Sequence, residues 1–438
     1  MALIALFMAL VFVYSLVSGR LERTVVTAPM VFTTAGMLVL LLVPELGDLK
    51  GSREVFLRVA EVGLVLLLFT DASRTDLELL KSIQNLPARL LSAGMLLTIL
   101  LGALAAMVVF RPLSVWDAGI LAAILAPTDA GLGQVIVNSP RVPVRIRQAL
   151  NVEAGLNDGL SVPFLLFFIA LGGTGAEGHH ASLAQFIVEQ LGLGTLVGMG
   201  IGLVGGWLLG LACRKEWVAE SFQQIGVVAL PLLGVIASDA LATSMFIAAF
   251  VAGLAVQVGF KEAGSRSVEF TEEWGQLLNL SVFFLFGLLV ARAWHQFNLT
   301  HVVYAVLSLT GVRMLPVAIA LLRTRLARAT VLFMGWFGPR GLASIVLGLV
   351  YLQRRTPSSD ESTIHIAVMV TVLLSIFAHG LSARPGINLY GAKIAALNVS
   401  APELQGTRRN SGAGGKDESL PVDLEKTVWR RVRQQPAP

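Results

Sequence analysis

Long apolar runs separated by short polar loops dominate the chain. A helix needs about 20 predominantly apolar residues to span a bilayer. Thirteen stretches qualify, centred on residues 2–18, 25–43, 55–72, 90–110, 116–138, 148–171, 184–212, 222–238, 242–259, 276–293, 301–322, 329–351 and 363–382. The first has neither a basic leader nor a small-residue cleavage site before Arg20, so it reads as a retained helix rather than a signal peptide. The stretch 184–212 carries glycine at 192, 194, 198, 200, 202, 205 and 206, which allows close helix approach. No loop between the runs is long enough for a water-soluble domain, so residues 1–395 form one transmembrane unit. From residue 396 the composition turns polar and glycine-rich, and 396–438 reads as a largely disordered tail.

Composition sharpens the class. Of 438 residues, 55% are hydrophobic and 14% charged, against about 25% charged in an ordinary soluble domain. That excludes a soluble enzyme, and the apolar content excludes disorder. A single cysteine, Cys213, allows no intrachain disulfide and no cysteine metal cluster. The net charge of +5 raises the question of a nucleic-acid partner, but the basic residues sit in short loops. With the carboxyl terminus inside and the amino terminus outside, inner loops hold fifteen Lys and Arg and outer loops six. This is the bias of a multi-pass membrane protein, and no nucleic acid is implied.

Ionisable groups at bilayer depth cost about 2.5–3.5 kcal/mol each on insertion scales and mark function. The fifth stretch reads Pro127-Thr128-Asp129-Ala130-Gly131, and the sixth contains Glu153, Asn157 and Asp158. Pro127 and the following glycines predict an interrupted helix, whose exposed backbone survives only beside a cavity. The twelfth stretch has a matching interruption at Gly338-Pro339-Arg340-Gly341, with a cation in place of the anion. Paired interruptions in two halves of a chain point to a midplane site between inverted repeats. Arg340 is permanently charged and needs a carboxylate partner. Glu153 is the expected one, leaving Asp158 free to titrate. Asp71, beside Thr70, is a further candidate along an ion path. Glu61 is expected to pair with Arg58, and Arg313 and His379 to have structural partners.

At these residues the chain resembles the monovalent cation/proton antiporter superfamily, in its electroneutral sodium/proton exchanger branch. The pieces that carry the resemblance are Thr128-Asp129, Glu153 through Asn157-Asp158, Phe246 to Leu254, and Gly338-Pro339-Arg340-Gly341. It covers residues 1–395. The resemblance implies an all-α fold of about thirteen transmembrane helices, with inverted repeats and two crossed discontinuous helices. A six-helix core, drawn from residues near 55–171 and 276–382, would move against a dimerisation domain in a homodimer. Asp158 would carry the cation or proton, and Asp129 and the Thr128 main chain would line the site. Glu153 and Arg340 would form a supporting ion pair, with Asn157 bonding toward Thr128. Two departures stand out: Ala130-Gly131 where the family often has Pro-Val, and Ala154 where some members place a serine ligand.

The expected activity is therefore exchange of Na+ or Li+ for H+ in pH homeostasis, with no enzymatic reaction and no cofactor. Asn157 cannot ionise, so one carboxylate cycles and one proton leaves per cation. The competing expectations are a K+/H+ antiporter using the same site, a cation channel, and a membrane scaffold working through its basic tail. The short tail suits a bacterial inner membrane.

Overall fold

In a computed structural model the described residues are 2–21, 23–43, 53–75, 86–111, 113–173, 188–260, 268–353, 361–396 and 401–407. Their regular structure is helical, and it forms thirteen rods in the order the hydrophobic runs predict. These are α1 (Ala2–Leu21), α2 (Ala28–Leu42), α3 (Arg53–Arg74), α4 (Leu86–Val109), α5a and α5b (Val115–Ile124 and Ala130–Val137) and α6 (Val144–Gly173). They continue with α7 (Val188–Arg214), α8 (Glu220–Ala240), α9 (Met245–Gly259), α10 (Val268–Ala293), α11 (Leu299–Ala320), α12a and α12b (Arg328–Trp336 and Leu342–Gln353) and α13 (Glu361–Ile394). Eight of them are long and apolar enough to cross a membrane, and α2, α5a, α9 and α12b are shorter apolar helices.

Both expected interruptions are present. The fifth rod breaks between Ile124 and Ala130, and the twelfth between Trp336 and Leu342. Each break holds a proline, which cannot donate to the turn before it. The two halves of the chain repeat one another. Rod α2 packs on α10, and α9 packs on α3, as expected if α1–α6 and α8–α13 are repeats joined by α7. The equivalence reaches single residues. In α2, Ala35-Gly36 lies against Phe284 of α10, where a Cβ on Gly36 would fall 2.0 Å from the Phe284 carbonyl oxygen. In α9, Ala252-Gly253 lies against Phe69 of α3, where the corresponding distance is 2.3 Å. Without a hydrophobic effect between helices in lipid, such backbone approach at small residues supplies the van der Waals contact that joins them.

The glycine-rich α7 works the same way against α9. Gly198, Gly202, Gly206 and Gly210 recur every four residues, and a Cβ on each would fall 2.3–2.6 Å from a carbonyl oxygen of α9. Rod α11 bends at Thr310, whose backbone (φ −107°, ψ −91°) is not helical, and resumes at Gly311 with Arg313 in its next turn. Rod α13 runs past the expected end near residue 382 to Ile394, carrying Pro385 within it.

Beyond α13 the turn Pro402–Thr407 folds back onto the helix ends. The buried Glu403 carboxylate accepts from the Ala327 backbone N–H (2.7 Å) and the Thr330 hydroxyl (3.0 Å), while Arg145 donates to the Pro402 carbonyl. Ala327 is the N-cap of α12a, so Glu403 places an anion where the helix dipole favours it. The tail expected to be disordered lies, from residue 408 on, outside the described residues, as do the loop cations Lys50, Lys81, Lys261, Arg266, Arg354 and Arg355.

Two glycines two residues apart in α7 separate packing from propensity. Gly202→Ala drives a methyl to within 2.6 Å of the Ala252 oxygen, whereas Gly200 has nothing within 4 Å. Thermal unfolding of the purified protein in detergent is expected to show Gly202→Ala destabilised by about 1–3 kcal/mol. Gly200→Ala is expected to be neutral or more stable by up to about 1 kcal/mol.

Candidate functional site

The two breaks lie against each other, and their helix ends cap one another. Asp129 is the N-cap of α5b. Its Oδ1 accepts from the Leu132 N–H at 2.7 Å, while Oδ2 accepts from the Leu342 N–H at the start of α12b at 2.5 Å. Its own N–H donates to the Pro339 carbonyl at 2.8 Å. Arg340 serves the opposite polarity. Its Nη1 donates to the carbonyls of Ala126 and Pro127, at 2.8 and 2.9 Å, just past the end of α5a. Its backbone N–H donates to Ser375 Oγ at 2.6 Å, and Ser344 Oγ donates to the Ile124 carbonyl at 2.8 Å. The end of α12a is met by His379, whose Nε2 lies 2.9 Å from the Trp336 carbonyl, with Ser375 Oγ 3.1 Å from Nδ1.

Each residue of Gly338-Pro339-Arg340-Gly341 thus has a local reason. A Cβ on Gly341 would fall 2.1 Å from Asp129 Oδ2, so only glycine admits the capping carboxylate. A Cβ on Gly338 would fall 2.2 Å from Arg313 Nε, so glycine there lets the Arg313 side chain pass.

The expected Glu153–Arg340 ion pair gives way to a different one. Glu153 Oε1 accepts from Arg313 Nη1 at 2.5 Å, with both side chains buried. Arg340, 0% exposed, remains within electrostatic range of Glu153 but gives its hydrogen bonds to carbonyls. The reason is steric and electrostatic together: the end of α5a presents unpaired carbonyls at Arg340, and the bent α11 brings a second arginine past Gly338 to the glutamate. Arg313 stood out in the sequence as an intramembrane cation, but its partner did not. The pairs Arg58–Glu61 (3.2 Å) and Asn157–Thr128 occur as expected, with Asn157 Nδ2 donating to Thr128 Oγ1 at 2.6 Å.

Asp158 sits one residue along α6 and is 4% exposed. Its backbone carbonyl accepts from Ser161 Oγ at 2.8 Å, while Oδ1 is buried without a hydrogen-bond partner. It lines a cavity of about 320 Å³ together with Thr70, Asp71 and Arg74 of α3, Asp129 to Asn138 of α5b, Asn151 of α6, and Gly275, Gln276 and Asn279 of α10. The crossing therefore brings together Thr128, Asp129, Asn157, Asp158 and Arg340, and adds Asp71 at the cavity wall. Asp71, Asp129 and Asp158 all line this cavity, and Asp71 and Asp129 both act electrostatically on Asp158, without the three converging on one ion-binding point. Sequence reasoning passed over the α10 wall, although Gln276 and Asn279 are amides within an apolar run.

A profile of the transmembrane sodium/hydrogen exchanger family matches residues 4–387. The chain is 26% identical to a K(+)/H(+) antiporter NhaP of Alkalimonas amylolytica over 426 residues, 93% of this chain and 69% of that protein. It is 26% identical to a K(+)/H(+) antiporter NhaP2 of Shewanella sp. (strain MR-4), covering 63% of this chain and 47% of the relative, about half its length. A Na(+)/H(+) antiporter of Schizosaccharomyces pombe is 24% identical, covering 60% and 62% of the two chains. The fold matches the sodium proton antiporter MjNhaP1 of Methanocaldococcus jannaschii with a TM-score of 0.72 and 19% identity, over 90% of this chain and 99% of the other.

Removing one member of a buried ion pair leaves an uncompensated charge, at a cost of about 3–5 kcal/mol. Arg313→Ala and Glu153→Ala are therefore each expected to lower the yield of folded, monodisperse protein severely. The double variant is expected to recover most of it, because the stranded charge is gone. Yields from fluorescence-detected size exclusion check this; if the two losses simply add, the pairing is wrong.

Proposed function

The chain belongs to the sodium/hydrogen exchanger family, and from that premise we propose that it exchanges a monovalent cation for a proton by alternating access, with Asp158 as the shared carrier. One observation carries this reading. Both oxygens of Asp129 already accept backbone N–H groups, whereas Asp158 keeps a buried oxygen without a partner in a cavity wall. Asp158 holds a proton or a cation, never both, so the departure of one admits the other. Asp129 and the Thr128 main chain line the site, Asn157 holds Thr128, and Glu153 and Arg340 support the crossing, Glu153 through Arg313. Asp71 stands along the path from water. The protein is a transporter rather than an enzyme.

The neighbour Asn157 carries no charge through the cycle, so the exchange is one proton per cation and electroneutral. In our reading the cation is Na+ or Li+. The K+/H+ alternative draws support from the similarity to the Alkalimonas amylolytica K(+)/H(+) antiporter over 93% of this chain.

Every wall of the cavity runs toward one end of the bundle, from Leu66 to Arg74 on α3, Asp129 to Asn138 on α5b and Asp158 back to Asn151 on α6. Arg74 lines the cavity at that end, and Arg141, Arg145 and Arg147 lie between the end of α5b and the first turn of α6. With the positive-inside rule this favours an amino terminus outside, a carboxyl terminus inside and an inward-facing cavity, in a bacterial inner membrane. The glycine contacts tie α3 to α9 and α10 to α2. In our reading the moving core, near 55–171 and 276–382, is the six rods α4–α6 and α11–α13, which the close α3–α9 and α10–α2 contacts support. The remaining helices would form the dimerisation domain of a homodimer.

Asp158→Asn is expected to abolish cation-dependent pH-dye dequenching in everted vesicles while the protein stays inserted and monodisperse. In proteoliposomes the wild-type protein is expected to exchange without current. Dequenching by the variant, or current driven by exchange, would overturn the assignment.

A further inference from the structure

The cavity in front of Asp158 has a wall that the proposed exchange does not yet use. Rod α10 contributes Gly275, Gln276 and Asn279 to it, one polar strip on a helix whose next residues, Leu280 and Val282 to Phe284, are buried and apolar. Asn279 is the deeper of the two amides. Its Oδ1 is buried without a hydrogen-bond partner, although an amide oxygen left so costs about 1–3 kcal/mol. Its Nδ2 faces α5b, 3.0 Å from where a Cβ would stand on Gly131, a position itself 3.1 Å from Asp129 Oδ1. Gly131 is one of the three positions, with Ala130 and Ala154, where this chain departs from the resemblance noted in its sequence. A side chain there would meet the amide, and its absence lets Asn279 seat against α5b.

We infer that Asn279 is a specificity-determining ligand of the transported cation, its Oδ1 supplying the protein oxygen that first replaces water on the way to Asp158. The inference rests on the reading of Asp158 as the carrier. An oxygen with no donor partner, in a cavity it shares with Asp158, is set up for a hard cation and not for an anion. A neutral amide also meets a requirement that a carboxylate would not. It coordinates without binding protons of its own, so it adds cation affinity and leaves the one-proton stoichiometry untouched. Since Asn279 sits on a rod tied to α2 and Asp158 on a rod of the proposed core, the two ligands face each other only while the cavity is open.

The experiment is cation-dependent dequenching of a pH dye in everted vesicles, titrated separately with NaCl, LiCl and KCl. Asn279→Leu keeps the branched shape and removes the oxygen. The apparent KM for the transported cation is expected to rise at least fivefold while Vmax stays within twofold. Asn279→Asp, which restores an oxygen, is expected to return KM to within twofold of wild type or below it at alkaline pH. Gly131→Ala, whose methyl displaces the amide, should raise KM as Asn279→Leu does, and the double variant should be no worse than Asn279→Leu alone. If Asn279→Leu fails to fold, the Gly131→Ala titration reads the same property. An unchanged KM in Asn279→Leu, or in Gly131→Ala where Asn279→Leu does not fold, overturns the inference, as does failure of Asn279→Asp to restore it. Those results leave the carrier assignment standing so long as Asp158→Asn is inactive. An active Asp158→Asn would remove the carrier reading itself.

Discussion

Four helix ends meet inside this bundle, and the fold depends on their being satisfied without water. In hydrocarbon an unpaired backbone group costs several kcal/mol, so broken helices survive only where protein groups replace the missing turns. Here the ends of α5a and α12a expose carbonyls, and the starts of α5b and α12b expose N–H groups. One carboxylate, Asp129, serves both starts. Arg340 serves the end of α5a, and the His379 imidazole serves the end of α12a. The polarity follows the helix macrodipole, anion at amino ends and cation or donor at carboxyl ends. Ser375 joins the two carboxyl-end devices, since its oxygen accepts from the Arg340 N–H and lies against His379 Nδ1.

Once Arg340 is committed to carbonyls, Glu153 needs another cation, and this explains the shape of α11. A straight helix carries its side chains at fixed intervals. The bend at Thr310 and Gly311 restarts the helix just before Arg313, whose side chain then crosses the space left by Gly338 to reach Glu153. Two arginines and one glutamate share the region. Ion pairing and helix capping are thus one network, in which each arginine bonds through its Nη1.

Much of this was legible in the sequence because it is local. Hydrophobic runs fix thirteen rods, and Pro127 and Pro339 with their glycines mark both breaks. Thr128, Asp129, Asn157, Asp158 and Arg340 meet because the two breaks must cross to cap one another. What the sequence hid depends on rotation and register between distant rods. Arg313 and Arg340 were both available to Glu153, and the choice turns on a bend in α11 and on one glycine in another rod. Asn279 looks like any amide in an apolar helix until the missing side chain at Gly131 shows what it faces. Rod α13 passes Pro385, where a helix is expected to end, and the chain then returns Glu403 to the start of α12a.

The crossing also decides which acid is free to cycle in the proposed exchange. Asp129 cannot change its bonding without uncapping two helices at once, so cation binding that pulled it away would loosen the scaffold of the site. Asp158 lies within the continuous α6, and its carboxylate has no capping duty. The fold therefore separates two tasks that acids near a membrane midplane are asked to perform. In the proposed exchange one carboxylate holds the backbone together, and the other changes its occupant. Such a division requires two anions at neighbouring positions with unequal hydrogen bonding, and the paired helix starts supply that inequality. An inverted repeat with both starts brought to one point makes a single shared cap possible, which leaves the second acid to the ions.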